Sequence, residues 1–75
     1  MPEVTSECPI CKEIVVRREQ YIGDREIFNQ KLDVRSVMRH LEEKHRNHPE
    51  FNKFYKKLEE EEKNLDCMLA EVYPY

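Results

Sequence analysis

The pattern of apolar and polar positions at the start of the chain predicts short β-strands. Val4 to Glu7 is a short extended segment, and Glu13 to Arg17 contains three β-branched residues in succession. Branching at Cβ favours the pleated, half-buried surface of a strand. We therefore expect two strands joined by a turn at Cys8-Pro9-Ile10-Cys11.

A second hairpin is predicted between residues 16 and 31. Gly23-Asp24 suits a tight turn, because glycine adopts the positive φ that such turns need. Residues 14 to 21 would lead into this turn, and Glu26-Ile27-Phe28-Asn29 would form the returning strand.

Helical periodicity follows the predicted hairpin. Asp33 is a good N-cap, and the apolar residues after it have the spacing of a helix with one buried stripe. These residues are Val34, Val37, Met38 and Leu41. The pattern predicts a first helix from about residue 34 to 46.

A second helix is predicted from Pro49 to about residue 71, because proline suits the first turn of a helix but cannot continue one. Its apolar stripe is interrupted by the acidic run Glu59 to Glu62, which we expect to be a solvated face. The stripe comprises Phe51, Phe54, Tyr55, Leu58, Leu65, Met68, Leu69 and Val72.

Size and composition indicate a small domain with a thin core. The chain has 75 residues, of which 39% are charged, against about 25% in an average soluble protein. A core this small usually needs a metal, a disulfide or a partner chain. The expected fold class is α+β.

Charge is unevenly distributed along the chain. Residues 1–48 hold nine basic and nine acidic residues, while residues 49–75 hold four lysines and seven acids, which accounts for the net charge of −3. Any nucleic-acid binding would therefore depend on a local basic patch.

Cys8 and Cys11 form a Cys-x2-Cys pair, which is typical of a redox site, a disulfide framework or a metal site. No apolar run is long enough to span a bilayer, and the cysteine count is odd. We expect an intracellular protein, in cytoplasm or nucleus, with no membrane association and no small-molecule substrate. Reducing conditions favour metal or redox chemistry over a structural disulfide.

The histidines favour a metal. His40 and His45 fall on the predicted first helix with four residues between them. A structural zinc site commonly takes a cysteine pair from a hairpin turn and a histidine pair from a helix. Val15 and Val37 would supply the apolar core beneath the ion. The redox alternative needs a thioredoxin-like βαβ sheet, for which this chain is too short.

The sequence at this point resembles the C2H2 zinc-finger family, whose ββα unit carries two cysteines on a β-turn and two histidines near a helix end. The resemblance covers residues 4 to 46. It departs from the common pattern because 28 residues separate Cys11 from His40, where a typical finger has about 12. The hairpin predicted at residues 16–31 would account for the excess.

The resemblance implies a small zinc-stabilised ββα-like finger with an inserted β-hairpin and an additional long C-terminal helix. Residues 1–48 would form the C2H2-like module, and residues 49–75 would pack on it, mediate dimerisation, or both. Together they would make one compact domain. One structural Zn2+ is the expected cofactor.

The last zinc ligand is less constrained by the pattern than the other three. A five-residue step on an ideal helix turns the side chain by about 140° net, so His40 and His45 share an ion only if the last turn is distorted. His48 is the alternative fourth ligand. Cys67 on the second helix is expected to be a buried, inert thiol.

A zinc ion held by four protein ligands has no open position for substrate, so the protein is not expected to be an enzyme. The resemblance implies a DNA-binding transcriptional regulator with double-stranded DNA as partner. In the family, helix positions −1, 3 and 6 face bases. Those positions are Asp33, Ser36 and Arg39 here, with Arg35 at position 2.

Other basic residues would extend this surface. Phosphate contacts are expected from Arg35, Lys44 and Arg46, and from Arg17, Arg18, Arg25 and Lys31 on the inserted hairpin. One finger covers only about 3 base pairs, so the DNA-binding hypothesis also implies dimerisation or additional contacts. The C-terminal helix could supply the interface of a homodimer. The alternative is a zinc-stabilised protein–protein interaction module acting through that acidic helix.

Overall fold

The computed structural model describes residues 2–72 and contains a two-stranded sheet followed by two helices. Strand β1 spans Glu3–Glu7 and β2 spans Ile14–Glu19. Helix α1 spans Arg25–Lys44 and α2 spans Phe51–Val72. The predicted α+β class is confirmed. The tail Tyr73-Pro74-Tyr75 lies outside the described residues.

The first predicted hairpin is present. β1 and β2 are antiparallel, with Glu3 opposite Glu19 and Glu7 opposite Ile14, and the register shifts between Ser6 and Glu7. This hairpin places Cys8 and Cys11 in the turn between its two strands.

The prediction of an inserted second hairpin at residues 16–31 is wrong. Gly23 does turn the chain, with φ of 93°, but the turn leads directly into α1, and residues 26–29 are helical. Asp33 is consequently not an N-cap and lies in the middle of α1. Relative to a typical finger, the additional residues between Cys11 and His40 therefore form a longer β2, a short loop and more than two extra turns of α1.

The physical reason lies in the buried positions of α1. They are Glu26, Asp33, Val37 and Leu41, which follow helical spacing. The first two are acids, so the apolar periodicity that marks a helix in the sequence begins only after Asp33.

Helix α1 is the central element of the fold. The hairpin packs on one side of it and α2 on another, while α2 packs against α1 alone among the described elements. The resulting body is flat, with dimensions of 38 × 30 × 14 Å. The buried apolar residues are Cys8, Val37 and Leu41, and α2 contributes none. Neither helix is apolar enough over a sufficient length to cross a membrane, within residues 2–72.

Candidate metal centre

The turn between β1 and β2 has a fixed shape that brings its two cysteines together. The Cys8 N–H donates to the Glu13 carbonyl at 2.8 Å, and the Lys12 N–H donates to the Cys8 carbonyl at 2.9 Å. Lys12 has φ of 64°, a left-handed conformation that is uncommon for a residue other than glycine. Cys8 is fully buried, and Cys11 is exposed.

The end of α1 supplies the histidines. His40 lies within the helix, while His45 is the residue that caps it, with φ of −130° and ψ of 23°. The His45 N–H still donates to the Leu41 carbonyl at 2.9 Å. The regular rotation of the helix therefore ends before His45. This departure from ideal helix geometry lets the side chains of His40 and His45 share one site.

The structure brings Cys8, Cys11, His40 and His45 into one cluster. Their ligand atoms all lie within 4.8 Å of one another, and Cys11 Sγ is 3.5 Å from His40 Nε2. Sulfur and nitrogen ligands on a tetrahedral zinc ion are separated by about 3.6 Å, given usual zinc–ligand distances. The cluster has the donors and the dimensions to hold one metal ion.

One atom of the cluster supports metal binding independently of the spacing. His45 Nε2 is buried and has no hydrogen-bond partner, although a buried polar atom without a partner is unfavourable. A metal ion bound by the cluster would give this nitrogen its partner.

His48, the alternative fourth ligand, lies outside the cluster. Its Nδ1 accepts a hydrogen bond from the Glu50 N–H at 3.1 Å, and its ring centroid is 6.3 Å from that of His45. His48 serves the turn into α2, because its carbonyl also accepts a hydrogen bond from the Phe51 N–H at 3.0 Å.

The prediction of a buried Cys67 is wrong, because this thiol is exposed. Position 67 is two residues beyond Leu65, which places it about 200° further round the helix. Only the side of α2 that faces α1 is covered, so Cys67 is left in solvent.

An ion-pair cluster around Arg18 ties the cysteine-bearing hairpin to the histidine-bearing helix. The Arg18 guanidinium donates to the Asp33 carboxylate from Nε at 3.0 and 3.1 Å and from Nη2 at 2.7 Å. It also lies 2.7 Å from Glu26 through Nη1 and donates to Glu26 through Nη2 at 3.2 Å. We call these three side chains the Arg18 clamp.

The clamp is largely removed from water, with 17% of the Arg18 side chain and 10% of each carboxylate side chain exposed. The hydrogen bond from Arg18 lowers the pKa of Glu26, and the two carboxylates raise the pKa of Arg18. The sequence analysis expected Arg18 on an exposed basic surface and Asp33 at a base-facing position. In the structure both are largely buried and pair with each other in the clamp.

Three other arginines that were expected to contact DNA lie beside carboxylates. Arg17 pairs with Glu3 at 2.6 Å, Arg35 lies 4.0 Å from Glu62, and Arg39 lies 3.7 Å from Glu43. Ser36 donates to the Leu32 carbonyl. Lys31 pairs with Asp66 of α2 at 2.6 Å. The surface of α1 that the zinc-finger positions predict to contact DNA therefore carries both positive and negative charge.

A different stretch carries charge of one sign. Residues 44–57 contain five basic residues and one acid, Glu50. All five are exposed, and within residues 2–72 none of them has an ion-pair partner. We call them the basic end; they are Lys44, Arg46, Lys53, Lys56 and Lys57. The sequence analysis identified Lys44 and Arg46. A count of charges over residues 44–57 would also have identified the three lysines of α2.

No known protein family, curated protein sequence or solved structure matches this chain. The resemblance to C2H2 fingers therefore depends on the four clustered residues and their supporting elements.

Proposed function

We propose that this protein is a zinc-stabilised, C2H2-type nucleic-acid-binding domain that contacts the phosphates of double-stranded DNA through its basic end. The observation that carries the proposal is the segregation of charge. Five of the eight basic residues elsewhere in the chain lie beside carboxylates, whereas those of the basic end pair with no carboxylate among the residues that the structure describes. A regulatory role in transcription is the biological outcome that we propose for such binding.

Zinc is the ion that fits the donors best. Two thiolates and two imidazoles in a tetrahedral arrangement are typical of structural zinc. Four protein ligands leave no open position for water or substrate, so we propose a structural and non-catalytic role. The ion would join the hairpin to the end of α1, directly before the basic end begins.

Phosphate contact is favoured over base recognition by α1. Arginine and lysine side chains contact the DNA backbone without reading sequence, and the basic end has such side chains on the last turn of α1, on the following turn and on the first turns of α2. Arg35 and Arg39 remain exposed, but Glu42, Glu43 and Glu62 lie beside them and would repel phosphate.

The metal proposal is tested by loading the purified protein with Zn2+ or Co2+ and measuring stoichiometry by native mass spectrometry. We expect one ion per chain and, with Co2+, the strong visible absorption of a tetrahedral site. His45→Ala should lose the ion, whereas the matched variant His48→Ala should retain it. Retention by His45→Ala together with loss by His48→Ala would overturn the assignment.

The nucleic-acid proposal is tested by the salt dependence of binding to a short DNA duplex. Four to five phosphate contacts predict a roughly 150- to 500-fold loss of affinity between about 50 and 200 mM salt. Lys53→Gln with Lys56→Gln should reduce the slope of log K against log salt by about 1.8. These two residues are away from the metal ligands, so the fold should be preserved.

Two double variants control for surface and charge. Arg25→Gln with Lys63→Gln removes the same charge from exposed, unpaired positions outside the basic end, and it should leave the slope nearly unchanged. Arg35→Gln with Arg39→Gln tests the surface expected from finger numbering. If only this last variant abolishes binding, the basic end is the wrong surface. If the wild type does not bind at low salt, the function itself is wrong.

A further inference from the structure

The apolar stripe of helix α2 is only half-buried along most of its length. None of its residues is buried, and Met68 is 50% exposed. The chain exposes 5968 Å², whereas a compact monomer of this mass exposes about 4,900 Å². This excess of about 1,000 Å² is spread over the whole flat body, so a second copy could cover the roughly 800 Å² per partner of a standard stable interface and still leave the chain as exposed as a compact monomer.

The uncovered side of α2 borders a groove over α1. The groove is formed by two adjoining cavities of about 320 and 440 Å³ between β1 and α2. Its apolar lining consists of Val4, Pro9, Val34, Val37, Phe54, Leu58 and Leu65. Lys57 and Glu61 line the same groove from α2, one helical turn apart.

Charge along α2 is arranged so that the helix complements itself. Residues 51–58 hold three lysines and no acid, whereas residues 59–72 hold six acids and one lysine. Two copies placed antiparallel bring the basic half of each against the acidic half of the other. A parallel arrangement would bring like charges together along the whole helix.

We propose that a second copy of this chain docks on this face, with the two α2 helices antiparallel about a two-fold axis. Such an isologous contact uses the same surface on both chains. With the axis near residue 59, Lys57 of each chain lies against Glu61 of the other. The apolar groove residues of both copies are then covered together. This dimer goes beyond DNA binding and also supplies the second binding unit that a single finger lacks. Because Lys57 pairs with Glu61 of the other copy, the phosphate contacts of each copy in the dimer would come from the other four residues of the basic end.

The experiment is a charge exchange followed by mixing, measured by sedimentation equilibrium of the zinc-loaded protein. Lys57→Glu places two pairs of glutamates at the interface, and Glu61→Lys places two pairs of lysines there. Each variant alone should dimerise about 10-fold more weakly than wild type, since two exposed ion pairs become repulsive. An equimolar mixture of the two variants should dimerise as wild type does, because both pairs then become attractive.

Mixing separates an interface from an effect within one helix, since Lys57 and Glu61 are also i, i+4 neighbours. Any intrahelical effect persists in the mixture and cannot restore dimerisation. The matched pair Lys63→Glu and Glu60→Lys changes the same charges at positions that do not line the groove, and it should not alter association. Far-UV circular dichroism of each variant checks that the fold is retained.

Three results would overturn the proposal. They are a wild-type protein that stays monomeric at concentrations well above 100 µM, single variants that dimerise as wild type, and a mixture that fails to restore association. DNA affinity of the monomer, measured through Lys53 and Lys56, does not depend on this contact. Failure of the dimer is thus distinguishable from failure of the proposed function.

Discussion

Replacement of Arg18 by methionine should destabilise the protein far more than its position on a small hairpin suggests. Methionine matches much of the length of arginine but leaves the Asp33 and Glu26 carboxylates without a cation. Both are only 10% exposed. Removing one partner from a buried ion pair costs about 3–5 kcal/mol. Because the clamp keeps some contact with solvent, we expect the lower end, about 3 kcal/mol.

The same change should weaken metal binding. The clamp joins β2 to α1, and these elements position the cysteines and the histidines, respectively. Because metal binding is coupled to folding in small metal-stabilised domains, a cost of about 3 kcal/mol corresponds to about 100-fold lower apparent affinity. Urea unfolding in excess zinc gives the stability change, and competition with a chromophoric chelator gives the affinity change.

Companion variants assign the effect to the clamp. Arg18→Lys keeps the charge but loses the fork that binds Asp33 at two oxygens, so its loss should be intermediate. Combining Arg18→Met with Glu26→Gln and Asp33→Asn removes the uncompensated charges and should recover part of the loss. Arg17→Met breaks an exposed pair and should cost less than about 0.5 kcal/mol. An Arg18→Met effect as small as that of Arg17→Met would refute the reasoning.

Three further outcomes follow from the site and its surroundings. Chelation of the metal should abolish the helical circular dichroism signal, and added zinc should restore it, because the core alone is thin. Leu41→Ala should cost about 3–4 kcal/mol in urea unfolding, since Leu41 is fully buried beside the cluster. A hydrogen bond to Glu42 raises the pKa of Tyr55 to about 12. The neutral phenol is thus favoured in the folded state, and stability should fall as pH rises from about 10 to 12, but not in Tyr55→Phe.

The members of the cluster were predictable because their chemistry is specific. A cysteine pair and a histidine pair at these spacings in one short chain are typical of zinc sites, and the structure brings the predicted set together. The choice between His45 and His48 was not predictable. It depends on where α1 ends, and element boundaries are the least certain part of any sequence-based assignment.

The start of α1 was not predictable for a different reason. A helix is recognised in a sequence by apolar residues at helical spacing, but the first buried positions of α1 are Glu26 and Asp33. Arg18 compensates their charge from another element, across 15 residues in the case of Asp33. No local sequence pattern indicates an ion-pair partner so far away along the chain. In the sequence, Glu26 therefore resembles a strand residue and Asp33 resembles an N-cap.

The same lesson applies to function. Counting arginines on one face of α1 predicted a DNA-binding surface, but in the folded chain Glu62 of α2 lies beside Arg35, and Glu43 of α1 itself lies beside Arg39. Cations that have no carboxylate partner after folding contact phosphate at the lowest cost, and such contacts release counterions from DNA. In this protein these cations are concentrated where α1 ends, next to the metal cluster. A metal ion bound by the cluster would join the hairpin to α1 and would therefore also fix the position of the surface through which we propose the protein binds DNA.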